Sequence, residues 1–208
     1  MKKSRFFINF SKEENWLNDM AKQGYHLTHK KGIRYIFEKG HPEDVNIRVD
    51  YHKFNSNHDD NYINLFEDSG WKHIAGTKST SSHYFKQTDT AKDSDIFSDA
   101  ASKAGRYQRL STMFITLIAI YTPLFVTAVS TRAIPANAFL NPKALYLTPG
   151  LWERSGEAFW NAFWIETPFS LIRGVLWAIL PIAIILFVIL TIKSNSLYKK
   201  ATQNSENK

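Results

Sequence analysis

The sequence predicts an α+β chain in two parts: a mixed cytosolic domain, then a two-helix transmembrane hairpin. Two observations predict the division. Charge is segregated: residues 1–109 hold 18 Lys/Arg and 15 Asp/Glu, whereas residues 110–192 hold four Arg/Lys and three Glu. Hydropathy follows the charge, because Leu110–Ser130 and Gly174–Ile192 are uncharged runs of 21 and 19 residues. The averages over all 208 residues, 22% charged and a mean hydropathy of −0.31, therefore describe neither part. A third observation, an alternation of strand and helix signals before residue 88, makes the first part α+β.

Arg5–Phe10 (RFFINF) reads as an aromatic strand. Ser11-Lys12-Glu13-Glu14 then has the spacing of a capping box, with Glu14 at the fourth position. Trp16, Leu17, Met20 and Ala21 share one face of the helix, and Gly24 suits its end. Ile33–Glu38 and Val45–His52 alternate apolar and polar residues, as half-buried strands do. A second helix is expected from about Asp59, with Tyr62, Ile63, Leu65 and Phe66 inward and Gly70 ending it. Ser82–Lys86 supplies a last strand.

The two halves repeat. Trp16-Leu17-Asn18…Gly24-Tyr25 aligns with Tyr62-Ile63-Asn64…Gly70-Trp71 at an offset of 46 residues. Two interlocked strand–helix–strand copies predict a ferredoxin-like βαββαβ domain over residues 1–88, with four antiparallel strands and both helices on one face. The block Lys12-Glu13-Glu14-Asn15-Trp16-Leu17-Asn18-Asp19-Met20-Ala21-Lys22-Gln23-Gly24 resembles the signature of a bacterial family, domain of unknown function 2812. Arg48-Val49-Asp50-Tyr51, Tyr62…Leu65-Phe66-Glu67…Gly70-Trp71 and Tyr84-Phe85-Lys86 continue the pattern over residues 5–88. Tyr25 departs from it, where many members carry Trp. The resemblance implies a cytosolic domain often fused to membrane helices, in a family often encoded beside PadR-type transcriptional repressors. It implies no catalytic residue.

Residues 89–109 read as a Ser/Asp-rich linker and a juxtamembrane helix, with Arg106 and Arg109 expected at lipid headgroups. At about 1.5 Å per residue, the runs 110–130 and 172–192 each match the hydrocarbon thickness of a bilayer. Pro123 and Pro181 within them predict kinks. Lys103, Arg106 and Arg109 precede the first span, and Lys193, Lys199 and Lys200 follow the second. The connecting segment holds four cations, so the bias puts both termini inside. That orientation, and the lack of an N-terminal apolar run of export-signal length, predict a two-span protein of the bacterial plasma membrane. In the outer loop, Trp152, Phe159 and Phe163 share a helical face that Trp160 and Trp164 widen. This predicts a separate interfacial helix over 151–166, anchored by Trp152, Trp160 and Trp164. Arg173 is expected to snorkel, and residues 193–208, led by Lys193, form a basic cytoplasmic tail.

Composition excludes several chemistries. With no cysteine there is no thiol catalysis, Cys-zinc site or disulfide. The seven histidines match no metal or hydrolase spacing, and Gly76-Thr77-Lys78-Ser79 lacks the first glycine of a phosphate loop. No cofactor, metal or enzymatic activity is expected. The N-terminal domain is too nearly neutral for nucleic acid. The best candidate surface is the polar sheet face with Arg34, Glu38, Arg48, Asp50 and His52, suited to a protein partner or small ligand. The expectation is thus a membrane-anchored regulatory or binding protein, with the bilayer as one partner and an unidentified protein as the other. A homo-oligomer is compatible with it. The rival expectation is a membrane-embedded accessory in export of, or resistance to, membrane-active compounds.

Overall fold

The computed structural model describes residues 1–53, 60–77, 80–89, 95–97 and 100–206. His58, Lys78, Ser79 and parts of the expected linker lie outside the described residues. Residues 1–112 and 191–208 form one unit, and residues 113–190 a second.

The first unit is α+β. Its elements run β1 (Lys2–Ser4), α1 (Phe10–Lys22), β2 (Tyr25–Lys31), β3 (Arg34–Lys39), β4 (Ile47–Tyr51), α2 (Asp60–Asp68), β5 (Trp71–Ala75) and β6 (Ser82–Gln87). The expected single four-stranded sheet is replaced by two antiparallel sheets of three strands, ordered β1-β3-β2 and β4-β6-β5. The difference comes from β2 and β5. Each follows its helix after one glycine in the left-handed region, Gly24 (φ +79°) or Gly70 (φ +84°), and pairs with the strand after it. The segment 25–31 interleaves His and Lys with its apolar residues, which hides its strand period. A register irregularity at Leu27/His29 in β2, and another at His73/Ala75 in β5, further break the alternation.

The start of α1 also differs from expectation. Asn9, not Ser11, is the N-cap, and its side chain accepts from the Lys12 N–H at 3.2 Å. Glu14 is thereby freed from capping. The core packs Leu17, Met20 and Ala21 of α1 against Tyr35, Phe37, Val49 and Tyr84 of the two sheets, all 2% exposed or less. Trp16 meets Tyr35 and Phe37 edge-on at 4.9 and 5.6 Å.

Two long helices follow, α3 (Ala100–Ser130) and α4 (Gly156–Glu206). Ala101–Ser130 and Gly156–Gln203 are long and apolar enough to cross a membrane. Pro123 lies inside α3, and Pro168 and Pro181 lie inside α4. The expected interfacial helix and second span are one helix, which runs through Pro168, a residue that apolar membrane-type helices tolerate. The tail expected after residue 192 continues the same helix to Glu206. Between α3 and α4 the chain makes three single 3-10 turns, at Ala136–Phe139, Pro142–Leu145 and Leu151–Glu153.

Candidate functional site

The most organised polar structure in the first unit lies along the outer edge of β4. Its neighbour β6 covers the other edge, so the N–H and C=O groups of Ile47, Val49 and Tyr51 need partners elsewhere. Side chains from two helices supply four of them. From α1, Asn18 Oδ1 accepts from the Ile47 N–H at 2.8 Å and Glu14 Oε1 from the Val49 N–H at 3.1 Å. From the start of α3, Arg106 Nη1 donates to the Val49 carbonyl at 2.6 Å, and Arg109 Nε donates to the Tyr51 carbonyl. Spacings of four on α1 and three on α3 put each pair on one helical face. The two helices clasp the strand as a neighbouring strand would.

The clasp is charged and dry. Arg106 Nη1 lies 2.5 Å from Glu14 Oε1, with side-chain exposures of 0% and 4%. Its guanidinium carbon lies 4.9 Å from the Phe10 ring centre, 5.1 Å from Phe97 and 5.5 Å from Tyr107. Arg109 Nη2 pairs with Asp50 Oδ1 at 2.6 Å, and the other Asp50 oxygen accepts from the Tyr62 hydroxyl of α2, also at 2.6 Å. Burial first, and then the Asp50 charge, hold the Tyr62 hydroxyl pKa above its ordinary value.

The sequence of this site matches a known profile. The family described as protein of unknown function (DUF2812) matches residues 9–119, a span that runs from the N-cap of α1 through both clasp arginines. The chain belongs to this family. No curated protein and no solved structure matches it.

A second buried carboxylate ties the sheets of this DUF2812 member together. Glu13 Oε1, 2% exposed as a residue, accepts from the hydroxyls of Tyr35 on β3 at 2.6 Å and Tyr84 on β6 at 2.5 Å. These are the central strands of the two sheets. Lys30 Nζ completes the group at 3.4 Å from the same oxygen. Burial, and next the nearby Glu13 charge, raise both tyrosine pKa values.

Three histidines gather under α2. His83 Nδ1 lies 3.3 Å from His73 Nε2, and the His52 ring stacks on Tyr62 at 4.4 Å, with Tyr62 also 5.9 Å from His83. Burial lowers the His73 pKa. Burial, followed by the neighbouring His73, lowers that of His83 to about 4. Among the described residues, no group of three or more His, Asp or Glu could hold a metal ion.

The expected polar face is divided. Arg34 and Glu38 are exposed on β3 of the first sheet, whereas Arg48, Asp50 and His52 belong to β4 and its end, in the second. Nor is the β4 part open. Asp50 is 4% exposed beneath Tyr62 and Arg109, and Arg48 is half-buried, its Nε 3.9 Å from Asp95. The alternation in Val45–His52 marks two covered faces, one apolar and one paired with polar groups. Arg106, expected at the headgroups, is instead fully buried against Glu14, and Arg109 is engaged by Asp50 and Tyr51. Their spacing to Glu14 and Asn18 was present in the sequence, but only the fold shows that both pairs face one strand.

In the second unit, Arg173 does not stand alone. It donates to the Leu145 carbonyl at 2.7 and 3.1 Å and to Glu166, which also accepts from Leu147 N–H and Thr148 Oγ1. Of the expected anchors, Trp152, Trp160 and Trp164 are 42%, 53% and 64% exposed, and Lys193 is exposed. Trp152 packs edge-on against Tyr146 at 5.2 Å, so it also folds the loop.

Proposed function

We propose that this protein is a membrane-anchored regulatory or binding protein of the bacterial plasma membrane, with no reaction of its own and both termini cytoplasmic. Its N-terminal domain binds a protein partner or small ligand, and that event is passed to the first membrane helix. One observation carries this reading. Arg106 and Arg109 sit on α3, the helix that contains the first apolar run, and both hold the edge of β4. A shift of β4, or of the helices packed on it, therefore acts on α3 through buried charge rather than through a slack tether. Residues 191–208 group with residues 1–112, which supports placing both termini on one side. A duplicated β-α-β-β unit is supported by the shared strand order of the two sheets and by register irregularities 46 residues apart.

The test uses the full chain in its own membrane, with a photoreactive residue at Glu38 and a thermal-shift screen against a metabolite extract. A discrete adduct or a reproducible shift is the expected result. Neither adduct nor shift would sink the proposal. A reporter fused to the C-terminus tests the topology, and activity outside the cell would reverse it.

The second reading puts the work in the membrane, in export of or resistance to membrane-active compounds. The polar knot of Glu166, Arg173 and the Leu145–Thr148 backbone within an apolar unit favours it. Replacing residues 113–190 by an unrelated two-span hairpin separates the readings. Loss of phenotype supports the second, and retention supports the first.

A further inference from the structure

The first sheet ends in a cationic corner with exposed apolar side chains, from which the Glu13 cluster takes only Lys30 and the clasp takes nothing. Residues 1–12 carry Lys2, Lys3, Arg5 and Lys12 with no acidic residue, and residues 25–37 carry Lys30, Lys31 and Arg34 with none. The fold brings these two stretches together. β1 pairs with β3 so that Ser4 faces Arg34, and β2 pairs with β3 so that Lys31 faces Arg34. Lys31 and Arg34 are thus like charges directly opposed across a ladder, an arrangement that destabilises a sheet unless an anion lies near. Lys2, Lys31 and Arg34 are all exposed, and among the described residues no carboxylate pairs with them.

Two large apolar side chains stand among these cations. Phe6 is 63% exposed and Ile33 is 53% exposed. They are adjacent in space, since the N–H of Arg5, the residue before Phe6, donates to the Ile33 carbonyl at 2.9 Å. Between Lys31 and Ile33, Gly32 makes an open left-handed turn (φ +57°) with nothing within 4 Å of where a Cβ would lie. The corner is therefore open to solvent, with two exposed apolar side chains beside exposed cations.

We infer that this corner docks onto an anionic lipid surface, Phe6 and Ile33 entering the headgroup boundary and Lys2, Lys31 and Arg34 meeting lipid phosphates. This rests on the membrane reading above. An exposed apolar pair beside exposed cations matches the two layers of a bilayer surface, anionic outside and apolar beneath. A purely acidic partner would leave Phe6 and Ile33 without a role. The corner is also tied to the right place in the chain. Asn9, three residues and at most about 11 Å of chain from Phe6, accepts from the hydroxyl of Tyr107 on α3 at 3.4 Å. Tyr107 lies three residues before the uncharged run that starts at Leu110.

The chain has no cysteine, so Ile33→Cys gives a single attachment point for a polarity-sensitive dye. The labelled full chain is placed in nanodiscs of phosphatidylcholine alone or mixed with phosphatidylglycerol. A blue shift and quenching by spin-labelled lipid in the anionic discs alone, reversed by high salt, is the expected result. The double substitution Lys31→Glu/Arg34→Glu should abolish it. Lys39→Glu, at the other end of β3, should retain it. Identical aqueous emission in both lipids overturns the inference, as does a shift that appears only when an acidic protein or nucleic acid is added. Failure of the chain to co-elute with discs would instead refute the membrane reading.

Discussion

The Arg106 guanidinium lies 2.5 Å from the Glu14 carboxylate, 92 residues away in sequence, and both side chains are out of solvent. Their shared neighbour is Val49, whose N–H binds Glu14 and whose carbonyl binds Arg106. One residue of an edge strand is thus held by two helices that meet through an ion pair. Removing either charge leaves the other buried without its partner, which costs about 3–5 kcal/mol. Glu14→Ala and Arg106→Ala should each lower the denaturation midpoint strongly. The double variant should lose much less than the sum of the two. Additive losses in a double-mutant cycle by urea denaturation would show that the two groups do not act as a pair.

The Glu13 cluster gives a second expectation. Tyr35 and Tyr84 reach one carboxylate oxygen from two different sheets. Each hydroxyl makes a charge-assisted hydrogen bond, a type that contributes about 1.5–3 kcal/mol. Tyr35→Phe and Tyr84→Phe should each destabilise by that order without changing the sheet content seen by circular dichroism. A loss below a few tenths of a kcal/mol in both would remove Glu13 as the link between the sheets.

Backbone geometry separates two glycines that look alike in sequence. Gly24 and Gly32 both lie in the left-handed region, where a side chain costs about 1–2 kcal/mol. At Gly32 an added Cβ meets nothing within 4 Å. At Gly24 it would lie 2.7 Å from the Gly40 carbonyl oxygen, which is backbone and cannot swing away. The Gly24 carbonyl also accepts from the Gly40 N–H at 2.8 Å. Gly24→Ala should therefore cost clearly more than Gly32→Ala in thermal melts. Equal losses would mean that the 24–40 contact yields easily.

Much of this fold was legible because hydrophobic period and glycine position survive in the sequence. The apolar face of α1, the end of α2 at Gly70, and strands β4 and β6 followed from those signals. β2 was not legible, since His26, His29, Lys30 and Lys31 interrupt its apolar pattern and the backbone slips register inside it. The cover over the polar face of β4 is invisible in the sequence for a different reason. Alternation tells which residues share a face, and it says nothing of what covers that face. Asp50 lies under Tyr62 and Arg109, and neither contact has a local signature. Arg106 has no local signature for the same reason: a cation just before an apolar run fits a headgroup anchor, and only Glu14, far away in sequence, makes it a core residue.

His83 makes the domain sensitive to acid. It is fully buried, faced by His73 from β5, by His52 and Asp50 from β4 and its end, and by Tyr62 from α2. Its pKa is depressed to about 4, chiefly by burial and next by His73. In the unfolded chain a histidine titrates near 6.5. Between these values the unfolded state binds the proton that the folded state refuses, so stability rises with pH across this window. The contribution is fully present above about pH 6.5 and is lost as the pH falls towards about 4, with a total on the order of 3 kcal/mol. His73, lowered by burial, acts in the same direction. Urea midpoints of the detergent-solubilised chain should fall from pH 7 to 4.5. The fall should be shallower in His83→Gln, which has nothing to protonate at that position. Parallel pH profiles for the two proteins would show that His83 takes up its proton in the folded state without cost.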